Sequence, residues 1–201
     1  MSVSVRERDL TAYARIRNAA LEGFAVEGVG ATTIRGVARA AGVSAGLVQH
    51  HFPTKQALRE SVNQYVLEIV AEAFEDLART EPTQELLNVL GTRITETVRD
   101  HRMAALYVAR SVVDRDEVGL QLFDALVAVS AQQIKRFQEE GLMREDADIS
   151  WASVQPIVMI LGSVLLEPGL NRNLPEPFYE GLWRWNDAQT EAYRQGYLKR
   201  P

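Results

Sequence analysis

The chain has 201 residues and a mass of 22.5 kDa, with 46% hydrophobic and 24% charged residues. That is the composition of a globular protein with one or two domains. Cysteine is absent, which excludes disulfides, thiolate zinc sites and thiol nucleophiles. The net charge of −5 is uneven: residues 1–59 carry eight basic side chains (Arg6, Arg8, Arg15, Arg17, Arg35, Arg39, Lys55, Arg59) and four acidic ones (Glu7, Asp9, Glu22, Glu27), a net of +4, which leaves −9 for the rest.

A basic head on an acidic body points to a head that meets a polyanion; ordinary fluctuation along a chain is the competing reading. The longest apolar stretch, roughly Pro156 to Leu166, is shorter than the ~20 residues that span a bilayer. The N-terminus lacks a basic-then-apolar leader, so the expectation is a cytoplasmic protein with no membrane contact.

In chain order the pattern reads as helix almost throughout. Tyr13, Ile16, Ala20 and Phe24 form one helical face, and Gly28-Val29-Gly30-Ala31 ends that helix. Ile34, Val37, Ala38 and Ala41 mark a short second helix with Thr33 as N-cap and Gly42 as its break. A third starts at Ser44 and ends near His51, before Pro53. Thr54 can cap a long fourth helix, Lys55 to about Arg79, with Leu58, Val62, Tyr65 and Ile69 on one face. Further helices are expected over about 83–101, 103–114, 117–140, 147–167 and 177–198. No segment alternates with a period of two, so no sheet is expected. The 147–167 segment has hardly any polar face and must be covered on all sides, by its own core and by a second subunit. Pro156 inside it predicts a kink.

The informative stretch is Thr32 to Lys55, TTIRGVARAAGVSAGLVQHHFPTK. Small Ala38 and Ala41 permit close helix crossing, Gly42 can take the left-handed turn conformation, and Val43, Val48 and Phe52 face inward. This is helix-turn-helix logic, in which the second helix stands clear and enters a major groove.

The stretch resembles the N-terminal domain of the TetR family of bacterial transcriptional regulators. The likeness lies in Thr32-Thr33-Ile34, Val37-Ala38, Ala41-Gly42-Val43-Ser44, Gly46, Val48, His51-Phe52 and Lys55, with Ile16, Ala19-Ala20, Phe24 and Gly28 upstream. It covers about residues 10–60; the rest agrees only in length and helical character. Gln49 stands where the family often has Tyr, and Ala45 where it often has Lys. The Gln49 amide can instead pair bidentately with adenine. The resemblance implies a homodimer on a near-palindromic operator in double-stranded DNA, with an effector-binding C-terminal domain, most often a repressor.

The candidate DNA-binding residues are Thr33, Arg35, Ser44, Ala45, Gly46, Leu47, Gln49, His50, His51 and Lys55. Thr33 is first a helix cap; the family adds a phosphate contact. Arg35 reads as a groove contact or a solvated charge. Ser44, Ala45, Gly46 and Leu47 form the first turn of the recognition helix, where short side chains let the backbone approach DNA. Leu47 is either a thymine-methyl contact or an ordinary surface leucine. Gln49 and His50 point outward if Val48 points inward, and His51 reads as structural or phosphate-bonding. Lys55 matches a phosphate-binding position of the family; a flexible surface lysine is the alternative.

Adjacent His50 and His51 do not make a metal site, because neighbouring helical residues point about 100° apart, and His101 is the one other histidine. No His-Glu-x-x-His or complete glycine-rich phosphate loop occurs, and Gly42-Val43-Ser44-Ala45-Gly46 matches Gly-x-Ser-x-Gly in letters only, since a helix and not a strand precedes it, so neither an enzyme nor a cofactor is expected. Met103, Tyr107, Phe123, Phe137, Trp151 and Met159 are candidates to line a ligand pocket, with core packing the competing role. The aromatic tail, Phe178, Tyr179, Trp183, Trp185, Tyr193 and Tyr197, places a dimer contact on the last two helices.

The expected fold is all-α. A three-helix helix-turn-helix DNA-binding domain spans 1–54, and a helical effector-binding and dimerisation domain spans 55–201, sharing helix 55–79. The expected function is a homodimeric repressor released by a small apolar effector. An effector-independent architectural DNA-binding dimer is the alternative, and a small helical enzyme or ligand carrier a remote one.

Overall fold

The structure is a computed structural model that describes residues 12–75 and 84–198. Arg6, Arg8 and the expected last turn of the fourth helix, to Arg79, lie outside the described residues. The chain divides into two compact units between Leu67 and Glu68, inside one helix. Among the described residues there are helices and no strands; an isolated antiparallel bridge joins Met143 and Leu198.

The first unit holds α1 (Ala12–Val26), α2 (Ile34–Ala41), α3 (Ala45–His51) and the start of α4 (Lys55–Glu75). Ile16, Ala20 and Phe24 of α1 are buried with Val37, Ala38, Val48, Phe52, Leu58 and Val62, as the helical spacing requires. Tyr13, expected on the same buried face, is 42% exposed. Its ring lies 4.7 Å from that of Phe52, and its hydroxyl pairs with Ser61 Oγ at 2.8 Å. An aromatic with a polar tip can cover a core edge and still reach water.

The second unit holds the end of α4 and then α5 (Gln84–Asp100), α6 (Arg102–Val113), α7 (Glu117–Glu139), α8 (Ile149–Leu165), α9 (Glu167–Asn173) and α10 (Leu182–Tyr197). Helix α8 packs on α6 and α7, and α10 on α5. The core includes Tyr107, Leu122, Ile134, Phe137, Ile157, Ile160 and Val164. Asp116 and Asp148 cap α7 and α8 by accepting from the Val118 and Trp151 amides, satisfying amides that the helix leaves unpaired.

The expected 147–167 helix is two helices. Helix α8 stops at Leu165, and α9 begins after a 77° bend, with a proline in its first turn. Pro168 has no amide proton to continue the ladder but suits a new helix start. The expected start near 177 is a turn, held by the Phe178 amide donating to Asn171 Oδ1 at 2.7 Å, and α10 begins at Leu182. Among the described residues no single helix is long and apolar enough to cross a membrane.

Helix α8 runs through Pro156. A proline at this position cannot donate to the carbonyl four residues earlier, that of Ala152. The Tyr193 hydroxyl of α10 donates to that oxygen at 3.0 Å, so a cross-helix bond replaces the missing one. Burial first, and the neighbouring Tyr197 second, push the Tyr193 phenol above its ordinary pKa, which keeps the donor protonated. Tyr193→Phe is expected to leave the carbonyl short of a donor and to cost about 1–2 kcal/mol, read as a lower midpoint in urea unfolding. An unchanged midpoint would show that the Ala152 carbonyl needs no donor from α10.

Candidate nucleic-acid interface

The helix-turn-helix is set by local chemistry. Thr33 accepts the Gly36 amide at 3.0 Å and starts α2. Gly42 ends it with φ 66° and ψ 38°, a left-handed conformation that glycine adopts without steric penalty. The Val43 amide donates to Ala38 O at 3.0 Å, closing the turn. Ser44 then accepts the Leu47 amide at 3.1 Å and starts α3. Ala38 and Ala41 are buried where α2 meets α3, and their small side chains permit the close crossing.

Fully buried Val48 anchors α3, which fixes what the helix presents outward. Gly46, Gln49 and His50 are exposed; they lie at i, i+3 and i+4 and share a face. Ala45, Leu47 and His51 are half-buried. The His51 ring meets the Tyr13 ring edge-on at 6.1 Å, so this histidine is held by the unit's own aromatics. On the preceding helix Thr33 and Arg35 are exposed, as is Ser44 at the α3 cap.

Lys55, half-buried, donates from Nζ to Gly30 O at 3.2 Å. An ammonium has three donors, so this bond ties the α1–α2 loop to the start of α4 and leaves two N–H groups. The sequence signalled the lysine but not this partner, which lies 25 residues away. Thr54 Oγ1 accepts the Ala57 amide at 3.0 Å and caps α4. The Arg17 guanidinium stacks 3.6 Å from the Tyr65 ring centre, so one cation of the basic head is engaged in packing. Among the described residues no group of three or more histidine or acidic side chains is placed to hold a metal ion.

In the second unit a cavity of about 120 Å³ opens between α5, α7, α8 and α10. Of the six residues expected to line a pocket, Phe137 and Met159 line this one. Tyr107 is fully buried in the core and Trp151 is 62% exposed; Met103 and Phe123 are half-buried on α6 and α7. Residues that pattern did not single out, among them Gly91, Gln133, Asn186 and Gln189, complete the lining.

The same unit carries exposed apolar side chains: Trp151, Val158, Met159 and Leu166 along α8 and its end, and Trp183 on α10. Positions 151, 158, 159 and 166 recur at helical spacing and form one stripe. The aromatic tail divides between two roles. Phe178 is buried, Trp185 Nε1 donates to Ser163 Oγ at 3.0 Å, and Tyr197 donates to Gln155 Oε1 at 2.7 Å, while Trp183 faces outward.

Residues 16–62 match the sequence model of the bacterial regulatory proteins, tetR family. The HTH-type transcriptional regulatory protein RaaS of Mycobacterium tuberculosis is 31% identical over 145 residues, covering 72% of this chain and 65% of that protein's length. The ketosteroid transcriptional regulator KstR2 of Mycobacterium tuberculosis superposes with a TM-score of 0.67 at 21% identity, covering 99% of this chain and 98% of the other. SmeT, the repressor of the Stenotrophomonas maltophilia multidrug efflux pump SmeDEF, superposes with a TM-score of 0.69 at 19% identity, covering 96% and 93%. At such identities the two structures show a shared fold.

Proposed function

The chain belongs to the tetR family of bacterial regulatory proteins, and from that premise we propose that it is a sequence-specific DNA-binding transcriptional regulator. In this reading it is a cytoplasmic homodimer that represses transcription and is released by a small-molecule effector. Residues 1–54 are the DNA-binding domain, and 55–201, with α4 shared, bind effector and partner. The observation that carries the reading is α3: a capped helix anchored by Val48, presenting Gly46, Gln49 and His50 outward.

Gln49 and His50 read base edges, the Gln49 amide being matched to adenine. Thr33, His51 and Lys55 contact phosphates, Arg35 reaches into the groove, and the short side chains of Ser44, Ala45 and Gly46 admit the backbone to DNA, with Leu47 against a thymine methyl. The apolar stripe of α8 and Trp183 of α10 are covered by a second copy, since an exposed apolar band of this kind marks an interaction surface. The dimer then presents two α3 helices to successive major grooves about 34–36 Å apart. Footprinting on the DNA upstream of its own gene tests the reading. A protected near-palindrome is expected; binding no tighter than to random DNA would overturn it.

A further inference from the structure

Resting on the reading of the second unit as effector-binding, we infer that the cavity between α5, α7, α8 and α10 takes an uncharged ligand that carries both a hydrogen-bond donor and an acceptor, such as a carboxamide, lactam or urea on a small ring. The lining contains no aspartate, glutamate, lysine, arginine or histidine. A charged ligand would leave water without a counter-charge in the wall, the Arg136 guanidinium standing behind Gln133 and bonded to it, which is unfavourable.

The wall is not purely apolar either. Four carboxamides, Gln133, Gln155, Asn186 and Gln189, line it beside Leu90 and Phe137. A carboxamide both donates and accepts, so a ligand amide can meet one with two complementary bonds. Gln133 and Asn186 are buried, 5% and 8% exposed. Gln133 Oε1 accepts from Arg136 Nη1 at 2.9 Å, and Asn186 Oδ1 from Thr190 Oγ1 at 3.4 Å. Each bond uses one of the two lone pairs of an amide oxygen and orients the amide, leaving the second lone pair and the NH₂ group for a ligand.

Gly91 lets α5 pass close to Asn186. A Cβ at position 91 would overlap the Asn186 side chain, so the glycine on α5 makes room for the amide of α10. Pro156 lines the same cavity, at the point where α8 lacks one of its own backbone bonds. Exposed Gln155 and Met159 border the opening. The volume of about 120 Å³ suits a ring the size of benzene, which an apolar cavity of roughly 150 Å³ holds.

The test uses three probes of one shape: benzamide, neutral; benzoate, an anion; benzamidinium, a cation. Each is titrated by ligand-observed NMR against the full chain without DNA. Benzamide is expected to bind at least about tenfold more tightly than either ion, because only it enters without leaving a charge unpaired. Asn186→Leu, and separately the half-exposed Gln189→Leu, are expected to weaken benzamide several-fold and to leave toluene binding equal or tighter. Benzoate or benzamidinium binding as tightly as benzamide would overturn the inference. So would no benzamide binding up to its solubility limit, or variants that treat benzamide as the parent does. Operator affinity is measured separately. A chain that binds benzamide as expected but keeps its full operator affinity when saturated supports the ligand class and counts against release by effector. Release by some other compound, without benzamide binding, overturns the inference alone.

Discussion

Replacing Val158 by glutamate is expected to turn the dimer into monomers. Val158 is 49% exposed in the single protomer and lies on the stripe with Trp151, Met159 and Leu166. A glutamate there remains solvated in the monomer, so the fold survives. In a dimer covering the stripe it is buried without a counter-charge, at about 3 kcal/mol or more for each copy. A two-fold interface contains the substitution twice, so about 6 kcal/mol opposes association. That is a factor on the order of 10⁴ in the dissociation constant. Sedimentation at micromolar concentration should show monomers of unchanged helical content. Trp183→Glu on α10 is expected to act in the same direction. If both variants remain dimers, the interface lies on another face.

Operator affinity is expected to fall steeply with salt. Thr33, His51 and Lys55 are the assigned phosphate contacts of each protomer, which makes six for the dimer. Thr33 is uncharged and releases no counterion; the fixed cations assigned to DNA, Lys55 and Arg35, number four in the dimer and give a slope of log affinity against log salt of about −3.6, on the order of a hundredfold loss between 50 and 200 mM. The charge division supports this sign, with +4 on residues 1–59 and −9 beyond, since the acidic remainder cannot add to the attraction. Lys55→Ala is expected to flatten the slope by about 1 for each half-site and to weaken operator and random DNA alike. Loss of the Lys55–Gly30 bond contributes to the drop in affinity but not to the slope. A slope near zero would contradict phosphate-led binding.

The helix-turn-helix was legible in the sequence because its determinants are local. Thr33, Gly42 and Ser44 act on backbone groups within five residues, so their identity and spacing almost state the geometry. The break between α8 and α9 was harder. Apolar residues continue through Leu165 and Leu166 and hide an end that Pro168 enforces. The support of Pro156 by Tyr193 joins positions 37 apart in sequence, and no periodicity encodes such a pair. The cavity was least legible of all. Seeking large apolar residues finds core members such as Tyr107, which is fully buried. An opening is made where side chains are small or a helix carries a proline, as at Gly91, Ser130 and Pro156. The carboxamides that line it have no helical signature of their own.

The decisive property of the protein is whether α3 reads sequence. Fluorescence anisotropy with the protected operator and with random DNA of equal length, at one salt concentration, decides this for Gln49→Ala and His50→Ala. Both side chains are exposed opposite buried Val48, so neither substitution disturbs the core. Each is predicted to weaken operator binding by about 1–3 kcal/mol per half-site while leaving binding to random DNA unchanged. Equal losses on the two DNAs would place these side chains on the backbone, and no loss on either would remove α3 from the major groove and contradict the account.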